Sequence, residues 1–304
     1  MPYRPALLLL LLTGCLGARV ASQRATLELP HATFVIEAQE VDARTLEMLE
    51  QGLKLASEEL TIWGGLRVPV TLHVLPDRER LRKAVGQEQA WISAWARFDT
   101  VHLQSPRTWS LLPPRQSDVD RMLLHELTHS LLYQRAARAE TWRKLSLPLW
   151  FDEGMASYTA QQAYRWPGLE DLARWYERHP EAKEDPLRPS RALYAEQHHL
   201  VYGAAHHAFT FLVDRYGRAP ILALMDAMQN GADFEEAFRQ SVGLDCARFE
   251  EEFRRFVRLR GFRRATRNSK APTPEAPIQS VGTSTPSEDA SGIGGAPPPA
   301  ARSR

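Results

Sequence analysis

The sequence of this 304-residue chain predicts an α+β fold, in which a small mixed sheet with helices is followed by a mostly helical lobe. Three observations support this prediction. Short strand-like runs alternate with helical patterns in the amino-terminal half, and helical periodicity continues almost without interruption from residue 117 onward. Hydrophobic residues make up 43% of the chain, which is ample for a core. We therefore expect one compact domain, or two closely packed lobes, over residues 26–264.

The amino-terminal half contains three segments with strand character. Residues 33–38 and 68–75 are apolar runs, the second rich in β-branched side chains, and residues 94–103 alternate in polarity, as expected of a strand pair or an edge strand. Helical patterns separate these segments, over residues 42–60 and residues 77–84. The first part of the chain is therefore expected to form the sheet.

The second half is expected to be helical. The charged, proline-containing residues 179–189 are predicted to form a loop that borders a cleft. The predicted helices cover residues 118–138, 148–164, 169–178, 196–216, 220–228, 233–241 and 247–259. Ser117 and Asp118 are the residues expected to cap the first of them.

His125, Glu126 and His129 form an H-E-x-x-H motif (HELTH) inside the first of these helices. Histidines four residues apart lie on one face of a helix, where both rings can bind one metal ion, typically zinc. The glutamate points about 100° around the helix, near the open side of the metal, and can take a proton from an activated water. The motif therefore predicts a hydrolytic site and not only a metal site.

The alternative is a chance match on a solvated helix face. The apolar residues around the motif, including Met122, Leu127 and Leu131, favour a mostly buried helix. Two imidazoles and a carboxylate are costly to bury without partners, and metal coordination offsets this cost.

Glu153 is the candidate third ligand. It follows Pro148, which suits the first turn of a helix, and it lies among Trp150 and Phe151, so we expect it to be inside the protein. Because Gly154 has no side chain, it would let this helix approach the first one closely. A catalytic zinc typically takes three protein ligands and leaves the fourth position to water. The alternative for a lone glutamate is a solvated surface position.

Together the two segments, HELTH and PLWFDEGMASY, resemble the gluzincin zinc metallopeptidases, in particular the bacterial peptidase MA-like domains, whose second helix carries P-x-W-x-x-E-G-x-A. The resemblance implies a zincin-like active-site helix, one Zn²⁺ ion bound by His125, His129 and Glu153, Glu126 as general base, and a peptide or protein substrate. It also implies that the edge strand within residues 94–103 lies beside the zinc.

The sequence differs from related gluzincins in two features that concern the substrate class. The thermolysin-like branch has an aspartate where this chain has Ser157, and the G-x-M-x-N strand of the aminopeptidase branch is not found.

Related gluzincins carry a tyrosine on a later helix that hydrogen-bonds the oxyanion of the tetrahedral intermediate. By resemblance Tyr202 is the best match, ahead of Tyr194; the alternative is an ordinary half-buried aromatic. His206 shares its helix face and is either a second donor or a neighbour. Asp152 is expected either to hydrogen-bond a zinc ligand or to face solvent.

The amino terminus resembles a bacterial lipoprotein signal. A positive charge and a short apolar run precede Leu-Thr-Gly-Cys at residues 12–15, similar to a lipobox. The resemblance implies a signal peptide over residues 1–14, a lipidated Cys15, a tether over residues 15–25, and a lipid-anchored location in the cell envelope, at the outer membrane or periplasmic face. The alternative is ordinary signal cleavage near Ala18 or Ala21.

The remaining composition limits the partners. Formal net charge is +1, so no nucleic acid partner is expected. If Cys15 carries lipid, Cys246 has no disulfide partner and is expected to be a small buried hydrophobe. Arginines that cluster over residues 254–267 are interpreted as a solvated helix end rather than a lipid contact. Residues 265–304 are rich in Pro, Ser, Ala and Gly and are predicted to be disordered.

The sequence thus favours a membrane-anchored zinc metallopeptidase. Two alternatives stay open: an envelope binding or scaffold lipoprotein that retains zinc without catalysis, and an envelope interaction protein in which HELTH is incidental. The intact Glu126 argues against the first, because a structural zinc site needs no base.

Overall fold

A computed structural model describes residues 22–86, 93–179 and 184–268. These residues form an α+β fold that confirms the predicted class. The strands are β1 (Ser22–Glu28), β2 (Thr33–Gln39), β3 (Val70–Leu75), β4 (Ala94–Ala96) and β5 (Thr100–Gln104). The helices are α1 (Ala43–Glu59), α2 (Arg78–Val85), α3 (Gln116–Ala136), α4 (Leu149–Thr159), α5 (Leu169–Arg178), α6 (Arg191–Glu196), α7 (His198–Tyr216), α8 (Ala219–Gln229), α9 (Phe234–Val242) and α10 (Cys246–Asn268).

The sheet is mixed and has the strand order β1-β2-β3-β5-β4. Its three central strands are parallel, while β1 and β4 pair antiparallel at the two edges. Phe34, Leu72 and Val101 are fully buried on one face of the sheet and belong to the same core as Leu49 of α1 and Leu123 of α3. Burial alternates along the strands because successive side chains point to opposite faces.

Several boundaries differ from the sequence prediction. Residues 22–25, which the sequence assigns to the tether, are paired in β1, and residues 265–268, assigned to the tail, belong to α10. β1 is largely exposed, so it lacks the apolar alternation from which strands are recognised. The helix predicted over residues 196–216 corresponds to α7, and the short helix α6 before it was not predicted.

The start of the motif helix also differs. The helix α3 begins at Gln116 with Arg115 as its N-cap residue and without a capping side chain, so Ser117 and Asp118 lie inside the helix and do not cap it. Cys246 is fully buried, which confirms the predicted burial, and it forms no disulfide among the described residues.

The signal peptide, Cys15, the rest of the tether and residues 269–304 of the tail lie outside the described residues and remain predictions. Among the described residues, no helix combines the length and apolar character needed to cross a membrane.

Candidate active site

Three side chains from α3 and α4 converge on one point. The Nε2 atoms of His125 and His129 lie 3.3 Å apart, and Oε2 of Glu153 lies 3.5 Å from the first and 3.7 Å from the second. Ligands at about 2.0–2.1 Å from a tetrahedral zinc ion are spaced about 3.3–3.4 Å from one another. The three ligand atoms therefore already have nearly the separation that one zinc ion requires.

The burial of these groups also fits a metal site. His125, His129 and Glu153 are each no more than 3% exposed. Within the described part of the chain, the Glu153 carboxylate oxygens and Nδ1 of His125 accept or donate no hydrogen bond of standard geometry. A buried carboxylate without partners is costly, and a bound cation would offset this cost. Two imidazoles and a carboxylate form a donor set typical of catalytic zinc.

Asp152 fixes the orientation of His129. Its Oδ1 lies 2.6 Å from His129 Nδ1, and its Oδ2 accepts a hydrogen bond of 3.1 Å from the hydroxyl of Tyr133. When Nδ1 carries the proton that Asp152 accepts, the lone pair of Nε2 points toward the cluster. Burial opposes protonation of His129, but the charge and hydrogen bond of Asp152, together with the charges of Glu153 and Glu126, raise its pKa to about 10. Without a metal ion the ring therefore carries a proton on both nitrogens at neutral pH, and Nε2 must release its proton to bind one. Of the two sequence alternatives for Asp152, the structure favours contact with a ligand.

His125 lacks such a carboxylate partner. Burial lowers its pKa to about 3, and the neighbouring His129 lowers it further. The ring of His125 is therefore neutral at pH 7, which is the form that binds a metal ion.

Glu126 lies beside the cluster and is 1% exposed. Burial raises the pKa of its carboxyl group to about 7, while the nearby His125 and a hydrogen bond from the backbone of Ala96 act in the opposite direction. A pKa near the working pH suits a group that must both accept and return a proton. The sequence named Glu126 as the candidate base, and in the structure the charges of His125, His129 and Glu153 act on its carboxyl group.

The contact with Ala96 comes from the edge strand β4. Side chains of α3 hold the turn that follows β4, because Ser130 Oγ donates to the Arg97 carbonyl at 2.6 Å and Gln134 Nε2 donates to the Phe98 carbonyl at 2.7 Å. The edge strand that the resemblance implied is thus fixed against the motif helix, next to Glu126.

The helices α4 and α7 meet at Gly154. A Cβ atom added there would lie 2.4 Å from the Ala205 carbonyl oxygen and 2.7 Å from Cβ of Phe209, both on α7. Only glycine permits this approach without a shift of backbone. The close contact brings α7, and with it Tyr202, next to Glu153.

Tyr202 is 2% exposed and is held on three sides. Its hydroxyl lies 2.9 Å from the hydroxyl of Tyr194, and its ring stacks on Trp166 at 5.1 Å between centroids. Burial raises the pKa of the neighbouring Glu153 carboxyl to about 8, and the charge of His129 and the nearby Tyr202 hydroxyl act in the opposite direction. Burial raises the pKa of Tyr202 well above 10, so the phenol keeps its proton at neutral pH.

Ser157 and His206 form a buried pair behind Tyr202. Ser157 Oγ lies 2.9 Å from His206 Nδ1 and accepts a hydrogen bond of 2.8 Å from Trp166 Nε1. His206 is therefore bonded to the residue at which the sequence departs from the thermolysin-like pattern. Sequence reasoning did not select Trp166, because an isolated tryptophan between two helices has no periodic signal.

Comparisons with known proteins bear on the fold. No family model matches the chain, and no curated protein matches it in sequence. Among solved structures, aminopeptidase A of Legionella pneumophila, in complex with aspartic acid, is 13% identical, with a TM-score of 0.50 over 77% of this chain and 28% of that chain.

Two further structures match less well. An aminopeptidase N family protein from Idiomarina loihiensis is 12% identical, with a TM-score of 0.46 over 76% of this chain and 46% of that one. An M1 zinc metallopeptidase from Deinococcus radiodurans is 17% identical, with a TM-score of 0.44 over 78% and 52%. This chain spans about half of the Deinococcus chains and less of the Legionella chain. The likeness to the Legionella structure, with a TM-score of 0.50 at 13% identity, shows a shared fold.

Proposed function

We propose that this chain is a zinc-dependent metallopeptidase that hydrolyses peptide bonds. One observation carries the proposal: the ligand atoms of His125, His129 and Glu153 lie within 3.7 Å of one another, with the buried carboxylate of Glu126 beside them. The fold similarity to proteins described as M1 zinc metallopeptidases and aminopeptidases supports it. The incidental-motif alternative does not account for three converging buried ligands.

The residues of the site have distinct tasks in this proposal. Zinc held by His125, His129 and Glu153 would supply a Lewis acid and lower the pKa of a water molecule. Glu126 accepts the proton of the attacking water and returns it to the leaving amine, for which its pKa of about 7 is suited. The protonated hydroxyl of Tyr202 donates to the oxygen of the scissile carbonyl as negative charge develops there. Strand β4 offers a sheet edge with which an extended substrate can pair.

The test combines metal analysis with hydrolysis of a peptide library. We expect one zinc ion per purified chain and cleavage of library peptides by the wild type. The variant Glu126→Gln should keep the zinc and lose hydrolysis, because the ligands are intact and the base is gone. Wild type without zinc would refute the proposal. Zinc without any cleavage would favour the scaffold alternative, and cleavage by Glu126→Gln would exclude Glu126 as the base.

We further propose that the protein is anchored in the cell envelope by a lipid on Cys15. The lipobox-like residues 12–15 support this. A bacterial host fed a labelled fatty acid should incorporate label into the wild type and not into Cys15→Ser, and the variant should move from the membrane to the soluble fraction. Equal labelling of both proteins would contradict the anchor.

A further inference from the structure

The loop between β5 and α3 exposes two adjacent leucines. Leu111 is 99% exposed and Leu112 is 76% exposed, whereas no other large apolar side chain in the described part of the chain exceeds the 56% of Leu259. Single exposed leucines are ordinary on protein surfaces, but two adjacent leucines with this exposure at one loop tip form a small apolar patch that an apolar partner can cover. We call residues 109–115 (WSLLPPR) the leucine loop.

The leucine loop is held in place by its own residues. Trp109 packs against the core, and its Nε1 donates to the Gln104 carbonyl at 3.0 Å. Ser110 Oγ donates to the carbonyl of Leu112 at 3.0 Å, and Pro113 and Pro114 restrict the backbone that follows. Because the loop is constrained, little conformational entropy remains to be lost when the leucines enter an apolar environment.

The charges around the leucines are positive. Residues 105–117 contain two arginines, Arg107 and Arg115, and no acidic residue. Arg107 is 72% exposed and pairs with Asp42 at 2.7 Å. Arg115 is exposed and has no ion pair among the described residues. The nearest acid along the chain is Asp118, in the first turn of α3.

A second basic element begins beside the leucine loop. The parallel strands β3 and β5 end at the same edge of the sheet, so the segments that follow them are neighbours. Ser105 N–H donates to the Leu75 carbonyl at 2.7 Å, and Thr108 Oγ1 donates to the Pro76 carbonyl at 3.1 Å. Helix α2 then starts at Arg78 and carries three arginines and one lysine against one glutamate; Arg80 also contacts Glu40.

The size of the apolar patch indicates which kind of partner it contacts. A stable protein partner or a second copy of the chain would bury about 800 Å² on each side, far more than two leucines provide. The other exposed large apolar side chains lie on other elements, namely Leu55, Val68 and Leu259. A small apolar tip flanked by cationic side chains is instead sufficient for contact with a lipid surface, where the leucines reach the acyl boundary and the cations stay at the headgroups.

We propose that the leucine loop inserts Leu111 and Leu112 into an anionic lipid bilayer, with Arg115 and the basic helix α2 at the headgroups. This contact depends neither on peptidase activity nor on lipid attached to Cys15. It would place the amino-terminal end of α3, the helix that carries His125 and His129, at the membrane surface.

The experiment places an environment-sensitive NBD fluorophore on the loop of the full-length chain. Leu111→Cys is labelled in a Cys15→Ser background, and Leu259→Cys is the matched control at another exposed leucine. The native Cys246 is fully buried, and burial raises its thiol pKa to about 12, so it does not react with the label. Each protein is mixed with vesicles of phosphatidylcholine alone or of phosphatidylcholine with phosphatidylglycerol.

We expect the probe at residue 111 to shift to shorter wavelength and to be shielded from an aqueous quencher with the anionic vesicles, while the probe at residue 259 does neither. Adding Leu112→Ser should lower the insertion equilibrium constant, obtained from the shielded fraction, at least about tenfold. Adding Arg115→Gln should lower it about fivefold.

Three outcomes would overturn the proposal. The probe at residue 111 shows no shift, the probes at residues 111 and 259 shift equally, or the probe responds equally to neutral and anionic vesicles. A probe response without vesicles that grows with protein concentration would also overturn it, because it would identify a second copy of the chain as the occupant.

Discussion

The two sides of the candidate site are built differently. On the ligand side, His125, Glu126 and His129 come from one helix turn of α3, and Glu153 comes from the next long helix. On the donor side, Tyr202, Tyr194 and Trp166 come from three separate segments and are held by ring stacking and single hydrogen bonds. Spacing within one helix therefore sets the relative position of the two histidines, while Glu153 and the tyrosine donor depend on packing between elements.

The largest expected effect concerns the donor side. Tyr202→Phe should lower kcat/KM for a cleaved peptide by about 100- to 1,000-fold, or about 2.7–4 kcal/mol, because it removes a donor to the developing oxyanion. Zinc content should remain at one ion per chain. Tyr194→Phe is the matched control and should have a smaller effect, since its hydroxyl contacts the hydroxyl of Tyr202 and would act on the oxyanion only through it. Full activity in Tyr202→Phe would show that the tyrosine is only a packing residue.

Gly154 lies where the ligand side and the donor side pack together, so a substitution there should disrupt the contact between α4 and α7. Gly154→Ala should reduce the free energy of unfolding by about 3 kcal/mol, the upper end for overpacking, because the new Cβ meets a backbone oxygen that cannot rotate away. Denaturant unfolding measures this loss. In the control Gly168→Ala, the nearest atom is 3.9 Å away and φ is −75°, so the change should stay within about 1 kcal/mol. Equal stability of the two variants would contradict the close contact of α4 and α7.

On the ligand side, Asp152→Ala should weaken zinc binding by about 10- to 100-fold, because His129 loses the carboxylate that orients its ring. Competition with a zinc-binding dye measures the affinity. Asp152→Asn keeps an acceptor for His129 Nδ1 and should lose less zinc affinity than Asp152→Ala. Tyr133→Phe should lose the least zinc affinity of the three variants. An unchanged affinity in Asp152→Ala would mean that the ring is held by packing alone.

The smallest expected effect is a dependence of the unfolding free energy on pH, which arises from His206 on the donor side. Burial lowers the pKa of His206 to about 4, with a further contribution from His207. The unfolded chain, with a pKa of about 6.5, then binds the proton more readily than the folded chain. The neutral, buried ring of His206 therefore contributes to the free energy of unfolding. This contribution is fully present above about pH 6.5 and is lost as the pH falls toward 4.

Between pH 7.5 and 5.5, the wild type should therefore lose about 1 kcal/mol more of its unfolding free energy than His206→Gln, which cannot titrate there. Urea unfolding at both pH values, with chelator in all samples to exclude metal release, gives the comparison. Parallel pH profiles for the two proteins would contradict the prediction, because they would show that the pKa of His206 is the same in the folded and the unfolded chain.

Much of the fold follows from local patterns. The buried strands β2 and β3 and the helix α1 were recognised to within about two residues at each end, because apolar periodicity reports burial directly. The exposed edge strand β1 was missed for the same reason. Its pairing with β2 uses backbone hydrogen bonds, which are independent of side-chain pattern.

The amino-acid sequence was sufficient to predict the fold class and to name candidates for the zinc ligands and the base, because a helix converts the spacing of His125 and His129 into geometry. The folded structure was needed to show that Glu153 reaches them, that Asp152 contacts His129, and that Trp166 and Tyr194 pack against Tyr202. These contacts join segments that no local rule connects. They depend on how closely α4 can approach α7, which is decided by the missing side chain at Gly154.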